Sequence, residues 1–112
     1  VLFHATEVPV MLPDALPEAA IQLGPQLEEE ARGLMKNLHN SISGITVESE
    51  VRMGRAHREI CAFAEESGVD IIVVPTHGRS ALSHMLFGSV AEKVVRLAKC
   101  PVMTIRPEWS RE

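Results

Sequence analysis

The sequence is poor in cysteine, in positive charge and in long apolar runs, and each shortage excludes a class of protein. Cys61 and Cys100 are the only cysteines and lack CxxC or CxxH spacing, which excludes a disulfide scaffold and a zinc knuckle. The 11 Lys and Arg residues are outnumbered by 15 Asp and Glu, for a net charge of −4, which excludes a general nucleic-acid binder. No apolar run approaches the roughly 20 residues of a membrane span. We therefore expect a cytoplasmic protein that binds neither nucleic acid nor membrane.

What is present is ordinary globular composition. The 112 residues are 46% hydrophobic and 23% charged, enough for one domain. The chain opens on an apolar run, Val1 to Ala5, with neither a Met nor the basic lead-in of a signal peptide. Buried parallel strands have this apolar character. We therefore expect residues 1–112 to form a single domain that is incomplete at its N-terminal side.

Apolar strand-like segments alternate with segments of helical periodicity along the whole chain. The predicted strands are residues 1–6, 45–52, 69–74 and 101–106. The predicted helices are residues 25–40, 55–67 and 89–99. This alternation predicts parallel strands joined by right-handed crossovers, and therefore a three-layer α/β domain with an open, Rossmann-like sheet.

Three of these elements carry more specific predictions. An apolar stripe on the first helix recurs at steps of four, three and four residues, at Leu27, Ala31, Leu34 and Leu38. The strand at 69–74 has Ile and Val on both faces, which predicts a central strand covered by helices on each side. Gly68 is the predicted stop of the second helix.

The loop after that strand has the features of an anion site. Ligands of open parallel sheets bind beyond the carboxyl ends of the strands. Gly78 and Gly88 are small residues that let backbone amides approach a ligand, and the following helix begins with unpaired amides. Arg79 could add a fixed positive charge. A phosphate-bearing ligand is one interpretation of this loop.

A purely structural interpretation of the same residues stays open. Ser89 and Glu92 have the spacing of a capping box, in which Ser89 caps the helix and Glu92 reaches back to it. His77 is explained by loop geometry or capping at least as well as by acid–base chemistry. P-loop, GxGxxG, GxSxG and HExxH signatures are all absent. We therefore predict no catalytic and no metal-ligating residues.

Three segments around this loop resemble the universal stress protein family: residues 69–79 (VDIIVVPTHGR), 86–94 (LFGSVAEKV) and 100–102 (CPV). The resemblance implies a parallel sheet of the adenine nucleotide alpha hydrolase-like type, with five strands in the order 3-2-1-4-5. It also implies dimerisation and, in many members, ATP binding through Gly-x-x-Gly followed nine residues later by Gly-Ser. Here Gly78, Gly88 and Ser89 match the second, third and hydroxyl positions, whereas Pro75 replaces the first glycine. Proline has no amide hydrogen to donate.

The resemblance implies a nucleotide site and a cofactor. The end of the family's second strand offers backbone to adenine, and its counterpart here is Ala5. The implied nucleotide-binding residues are Ala5, Val74, Thr76, His77, Gly78, Arg79, Gly88, Ser89 and Val90. The implied ligand is ATP or a related adenine nucleotide, with Mg²⁺ carried by the nucleotide.

The family's first strand, the central one, has no counterpart in this sequence, because Val1 to Thr6 corresponds to its second strand. A slot roughly 10 Å wide in a buried sheet would leave costly unpaired backbone. We therefore expect the central strand to come from preceding residues or from a partner chain.

Three functions follow as hypotheses. The first is a stress-response module that binds an adenine nucleotide. The second is a scaffold of the same fold that has lost nucleotide binding through Pro75 and dimerises through its last strand, Pro101 to Arg106. The third is a weak ATPase, which we rank last because the loop contains no carboxylate to position water or a metal.

Overall fold

A computed structural model describes residues 1–7, 17–76 and 88–106 of the chain, apart from the side chains of 17–22. In chain order the elements are β1 (Leu2–Thr6), α1 (Pro17–Ser41), β2 (Ser49–Met53), α2 (Ala56–Ser67), β3 (Ile72–Pro75), α3 (Ser89–Leu97) and β4 (Val102–Ile105). The chain forms two compact units, an N-terminal unit of Val1–Glu59 and a C-terminal unit of Ile60–Glu112.

The N-terminal unit is a two-stranded parallel sheet packed against α1. β1 pairs with β2 in the register Leu2↔Ser49 to Thr6↔Met53. The Leu2 amide also donates to the Glu48 carbonyl at 2.7 Å. Val51, in the middle of β2, is the buried apolar residue of this pair. β1 starts where the sequence predicts, whereas β2 starts four residues later than predicted.

α1 differs from its prediction both in its length and in which of its faces is buried. It begins at Pro17 rather than near Pro25, so Pro25 lies within the helix. Leu34 and Leu38, predicted to be buried, are 58% and 51% exposed. Met35, one position further along, is half-buried instead. The predicted stripe is therefore correct only in its first half.

The ends of α2 are formed by identifiable hydrogen bonds. The Glu7 carboxylate accepts the Ala56 amide at 2.6 Å, which places a negative charge at the start of the helix. At the other end the Gly68 amide donates to Glu65 and the Val69 amide to Ala64. Gly68 has a φ of +62°, so this end is a Schellman motif. The predicted helix stop at Gly68 is confirmed.

The C-terminal unit is a second two-stranded parallel sheet with its own core. β3 pairs with β4 in the register Ile72↔Val102 to Pro75↔Ile105. Its buried apolar residues come from α2, from α3 and from one face of β3: Ala64, Ile72, Val74, Ala91 and Val94.

The other face of this second sheet is open. Val73 is 54% exposed, and its register partner Met103 is 51% exposed. The prediction that residues 69–74 are covered on both faces is therefore wrong for the described residues. Ile and Val on both faces of a strand show high β-propensity but do not reveal which face is covered.

The two parallel pairs match the predicted architecture. Removing the central strand from the order 3-2-1-4-5 leaves one pair on each side, and these correspond to β2–β1 and β3–β4. The α/β class with parallel strands is thus confirmed. Within the described ranges, no helix has both the length and the hydropathy needed to cross a bilayer.

Candidate functional site

The candidate site lies in the C-terminal unit, where β3 ends and α3 begins. Thr76 follows β3 directly, is only 6% exposed, and donates its amide to the Ile105 carbonyl at 2.8 Å. The Thr76 carbonyl in turn accepts the amide of Gly88. Backbone hydrogen bonding therefore joins the end of β3 to the start of α3. The predicted site residues His77, Gly78 and Arg79 lie outside the described residues.

α3 begins without a side-chain cap. Gly88 occupies the N-cap position in an extended conformation (φ −71°, ψ 160°), and among the described residues no side-chain cap bonds to this helix end. The first helical hydrogen bond runs from the Glu92 amide to the Gly88 carbonyl at 3.0 Å. Ser89 is thus the first helical residue and not the cap.

The capping-box interpretation of Ser89 and Glu92 is therefore wrong. Because Ser89 lies one position inside the helix, its hydroxyl does not close the box. The Glu92 carboxylate instead accepts a hydrogen bond from Arg96 one turn later, at 2.7 Å. Both side chains are more than half exposed. The Ser89 hydroxyl remains exposed at the helix start.

Three backbone amides are left for an anion at this helix start. The Gly88 amide is already used by Thr76. Ser89, Val90 and Ala91 precede Glu92, the first helical donor, so the helix itself supplies no acceptor for their amides. Such amides, together with the positive end of the helix dipole, bind phosphate and carboxylate groups.

Packing holds these amides in place. The side chain of Ala91 is 2% exposed and that of Val94 is fully buried, so the first turn of α3 is fixed to the core. Val90 packs against the same core from its edge. A fixed set of donors binds an anion with little loss of conformational freedom.

The structure gives the remaining predicted residues different surroundings. Val74 is 7% exposed and belongs to the core, so its side chain and that of Thr76 are turned away from solvent. Ala5 lies in β1 of the N-terminal unit, in register with Arg52. Sequence reasoning missed the amide of Ala91. Ala91 lies among the unpaired amides of the first turn whether Gly88 or Ser89 is the N-cap, so counting that turn would have found it.

The cysteines add no reactive group to this site. Cys61 and Cys100 are free thiols, both half-buried, and both pack against the C-terminal core. Burial, and secondarily the neighbouring Cys100, raises the pKa of the Cys61 thiol. A raised pKa keeps a thiol protonated and unreactive.

Comparison with known proteins identifies the family. The model of the universal stress protein family matches residues 1–106. The chain is 36% identical over 87 residues to universal stress protein MJ0577 of Methanocaldococcus jannaschii, covering 76% of this chain and 54% of that protein. It is 34% identical over 83 residues to universal stress protein YxiE of Bacillus subtilis, covering 72% and 56%.

Solved structures agree with this assignment. The structure of MJ0577 superposes with a TM-score of 0.82 at 32% identity, covering 94% of this chain and 73% of that chain. The structure of the hypothetical protein PH0823 superposes with a TM-score of 0.74 at 26% identity, covering 99% and 77%. The matched region spans about half the length of the two curated relatives, MJ0577 and YxiE. It belongs to the universal stress protein family.

Proposed function

We propose that the chain is a cytoplasmic stress-response module that binds ATP or a related adenine nucleotide, with Mg²⁺ carried by the ligand. One observation carries this proposal: the amides of Ser89, Val90 and Ala91 lie at a helix start that no side chain of the described residues caps. Phosphate oxygens are suitable acceptors for such amides. In the proposed mode the Ser89 hydroxyl adds a fourth donor to the phosphates, and Gly78 and Arg79 supply further contacts.

Pro75 is compatible with this proposal because of where its nitrogen faces. The amides of Ile72 and Thr76 both donate to β4, and donors alternate along a strand. The nitrogen of Pro75 therefore faces away from β4, and proline removes no hydrogen bond from the β3–β4 ladder. Pro75 removes one donor from the family's glycine motif but leaves the three amides of α3 unchanged.

The test is calorimetry with ATP and Mg²⁺ on the chain and on Ser89→Asp. An aspartate in the first turn should stabilise the unliganded protein by about 0.5 kcal/mol through the helix dipole. The same carboxylate should repel the phosphates and weaken ATP binding about tenfold or more, about 1.4 kcal/mol. If Ser89→Asp is more stable than the parent chain but binds ATP more weakly, misfolding cannot be the cause of the weaker binding.

Ser43→Asp is the matched control, because it adds the same charge at an exposed position outside every helix and strand. Its affinity for ATP should equal that of the parent chain. If the parent chain gives no heat at millimolar nucleotide, the proposed binding is wrong. If Ser89→Asp binds as tightly as Ser43→Asp, the placement of the phosphates is wrong.

A second candidate function is a dimeric scaffold, and the free edge of β4 favours it. β4 pairs only with β3 among the described strands, and Met103 and Ile105 are 51% and 42% exposed. Alternation places the amide of Thr104 on the free edge, because the β3 donors at Ile72 and Thr76 reach Pro101 and Ile105. A second copy could pair along this edge.

Thr104→Pro tests the scaffold, because it removes a donor from the free edge without breaking the β3–β4 ladder. Sedimentation should show a concentration-dependent dimer for the parent chain and at least a tenfold weaker dimer for the variant. A variant that dimerises as tightly as the parent chain would show that β4 is not the interface.

A further inference from the structure

A cleft of about 310 Å³ lies between α1 and β2 in the N-terminal unit. Five residues from one face of the helix and two from the strand line it: Arg32, Met35, Lys36, His39, Asn40, Ser49 and Val51. Its volume falls within the range of small-ligand sites, about 300–1,000 Å³. Nothing in the universal stress protein resemblance assigns a ligand to this cleft.

The charged side chains that line this cleft, Arg32 and Lys36, are both basic, although the protein as a whole carries a net charge of −4. None of the seven lining residues is acidic. The Lys36 ammonium forms no ion pair with any acidic group that the structure describes. Arg32 is hydrogen-bonded to Glu28 one turn earlier; this bond and the Glu28 charge, with smaller contributions from Glu29 and Glu50, raise the pKa of Arg32, so its charge is compensated. The uncompensated charge of the cleft is therefore that of Lys36.

A hydrogen bond joins the helix and the strand that line the cleft. His39 Nδ1 and Ser49 Oγ are 2.6 Å apart. When the serine hydroxyl donates to Nδ1, the neutral ring carries its proton on Nε2 and can donate it. Val51 is 8% exposed and Met35 is half-buried, so the cleft also has an apolar floor.

We propose that this cleft binds a small organic phosphate, a phosphomonoester with a compact apolar body. The Lys36 ammonium pairs with the phosphate, and the Asn40 amide and His39 supply further donors. A phosphate has three terminal oxygens to accept them, whereas a carboxylate has two. The apolar body of the ligand packs on Met35 and Val51.

The experiment titrates the ¹⁵N-labelled full chain with phenyl phosphate and follows the amide resonances of His39 and Ser49. We expect saturable shifts of both resonances with a Kd in the low millimolar range or below. Inorganic phosphate, benzoate and phenol form the comparison arms. Inorganic phosphate lacks the apolar body, benzoate has a carboxylate in place of the phosphate, and phenol lacks the charge. Each should bind at least threefold more weakly than phenyl phosphate.

Lys36→Ala should weaken phenyl phosphate binding five- to tenfold. Arg58→Ala is the matched control: it also removes one exposed positive charge in the same unit, but its side chain does not line the cleft. Its affinity should be unchanged. Ser89→Asp should also leave the His39 and Ser49 shifts unchanged, which separates this site from the proposed nucleotide site.

Three results would overturn the proposal. One is the absence of saturable shifts at His39 and Ser49 in the parent chain. Another is equal loss of affinity in Lys36→Ala and Arg58→Ala, which would indicate a general response to charge. The third is equal affinity for phenyl phosphate and inorganic phosphate. This would show that the apolar floor contributes nothing to binding and that the cleft is an unspecific anion contact.

Discussion

Replacing Val94 by alanine should reduce the free energy of unfolding by about 2 kcal/mol. Val94 in α3 is fully buried, and its cluster contains Ala64, Ile72 and Val74. The substitution removes two methyl groups from this core, each with a transfer free energy of about 0.8 kcal/mol, and leaves a cavity that the core fills only in part. The loss is a large fraction of the stability of a small domain, typically 5–15 kcal/mol.

Val95→Ala is the control, because it makes the same change at the next position of the same helix. Val95 is 51% exposed, so its truncation removes little buried surface. Alanine is also the better helix former, and this gain applies equally to both variants. Urea denaturation should give Val95→Ala a stability equal to or slightly above that of the parent chain. Equal destabilisation of both variants would contradict the assignment of Val94 to the core.

The sequence predicts the elements of this fold well because their periodicities are strong. All seven strands and helices of the structure correspond to predicted segments, and Gly68 ends α2 as expected. The parallel pairing of both sheets follows from the alternation of strands and helices. The helices and strands themselves depend on short stretches of sequence, in which secondary-structure propensity and hydrophobic pattern agree.

The covered face of α1 could not be predicted with the same certainty. Leu34 and Met35 are adjacent and therefore about 100° apart around the helix. Both continue an apolar stripe from Leu27 and Ala31, one by a step of three and the other by a step of four. Only packing against β2 shows that Met35 lies over the sheet while Leu34 is exposed.

The N-cap of α3 was predicted one residue out of register. The sequence Gly88-Ser89 permits either residue to cap α3, and serine is the stronger capping residue. The structure places Gly88 at the N-cap, with its amide bonded to the Thr76 carbonyl. That bond joins two residues that are far apart in the sequence, so no local pattern reveals it. With Ser89 as the N-cap, the amides without a partner in the helix would be those of Val90, Ala91 and Glu92; with Gly88 as the N-cap, they are those of Ser89, Val90 and Ala91.

Gly54→Ala should destabilise the N-terminal unit by about 2–3 kcal/mol. Gly54 follows β2 with a φ of +145°, a backbone region that is open essentially to glycine alone. A Cβ atom placed there would lie 2.6 Å from Glu59 Oε1 and 2.9 Å from Glu59 Cγ. The residue cannot relax freely, because its amide donates to the Thr6 carbonyl at 3.0 Å. Backbone strain and a close contact therefore add together.

Two further variants separate these contributions. Gly44→Ala imposes a positive φ, +84°, in open space with no atom within 4 Å, so it should cost only the backbone strain, about 1–2 kcal/mol. The double variant Gly54→Ala/Glu59→Ala removes the contact and keeps the strain. Denaturation should place it between the parent chain and Gly54→Ala, after correction for Glu59→Ala alone.

The Gly54 turn leads directly into α2, whose first amide is bonded to Glu7 at the end of β1. Strain at Gly54 should therefore loosen the start of α2 as well, and hydrogen exchange at the Ala56 amide should accelerate in Gly54→Ala but not in Gly44→Ala. If exchange at Ala56 were equally fast in both variants, the turn and the helix start would be independent, and the Glu7 contact alone would position α2.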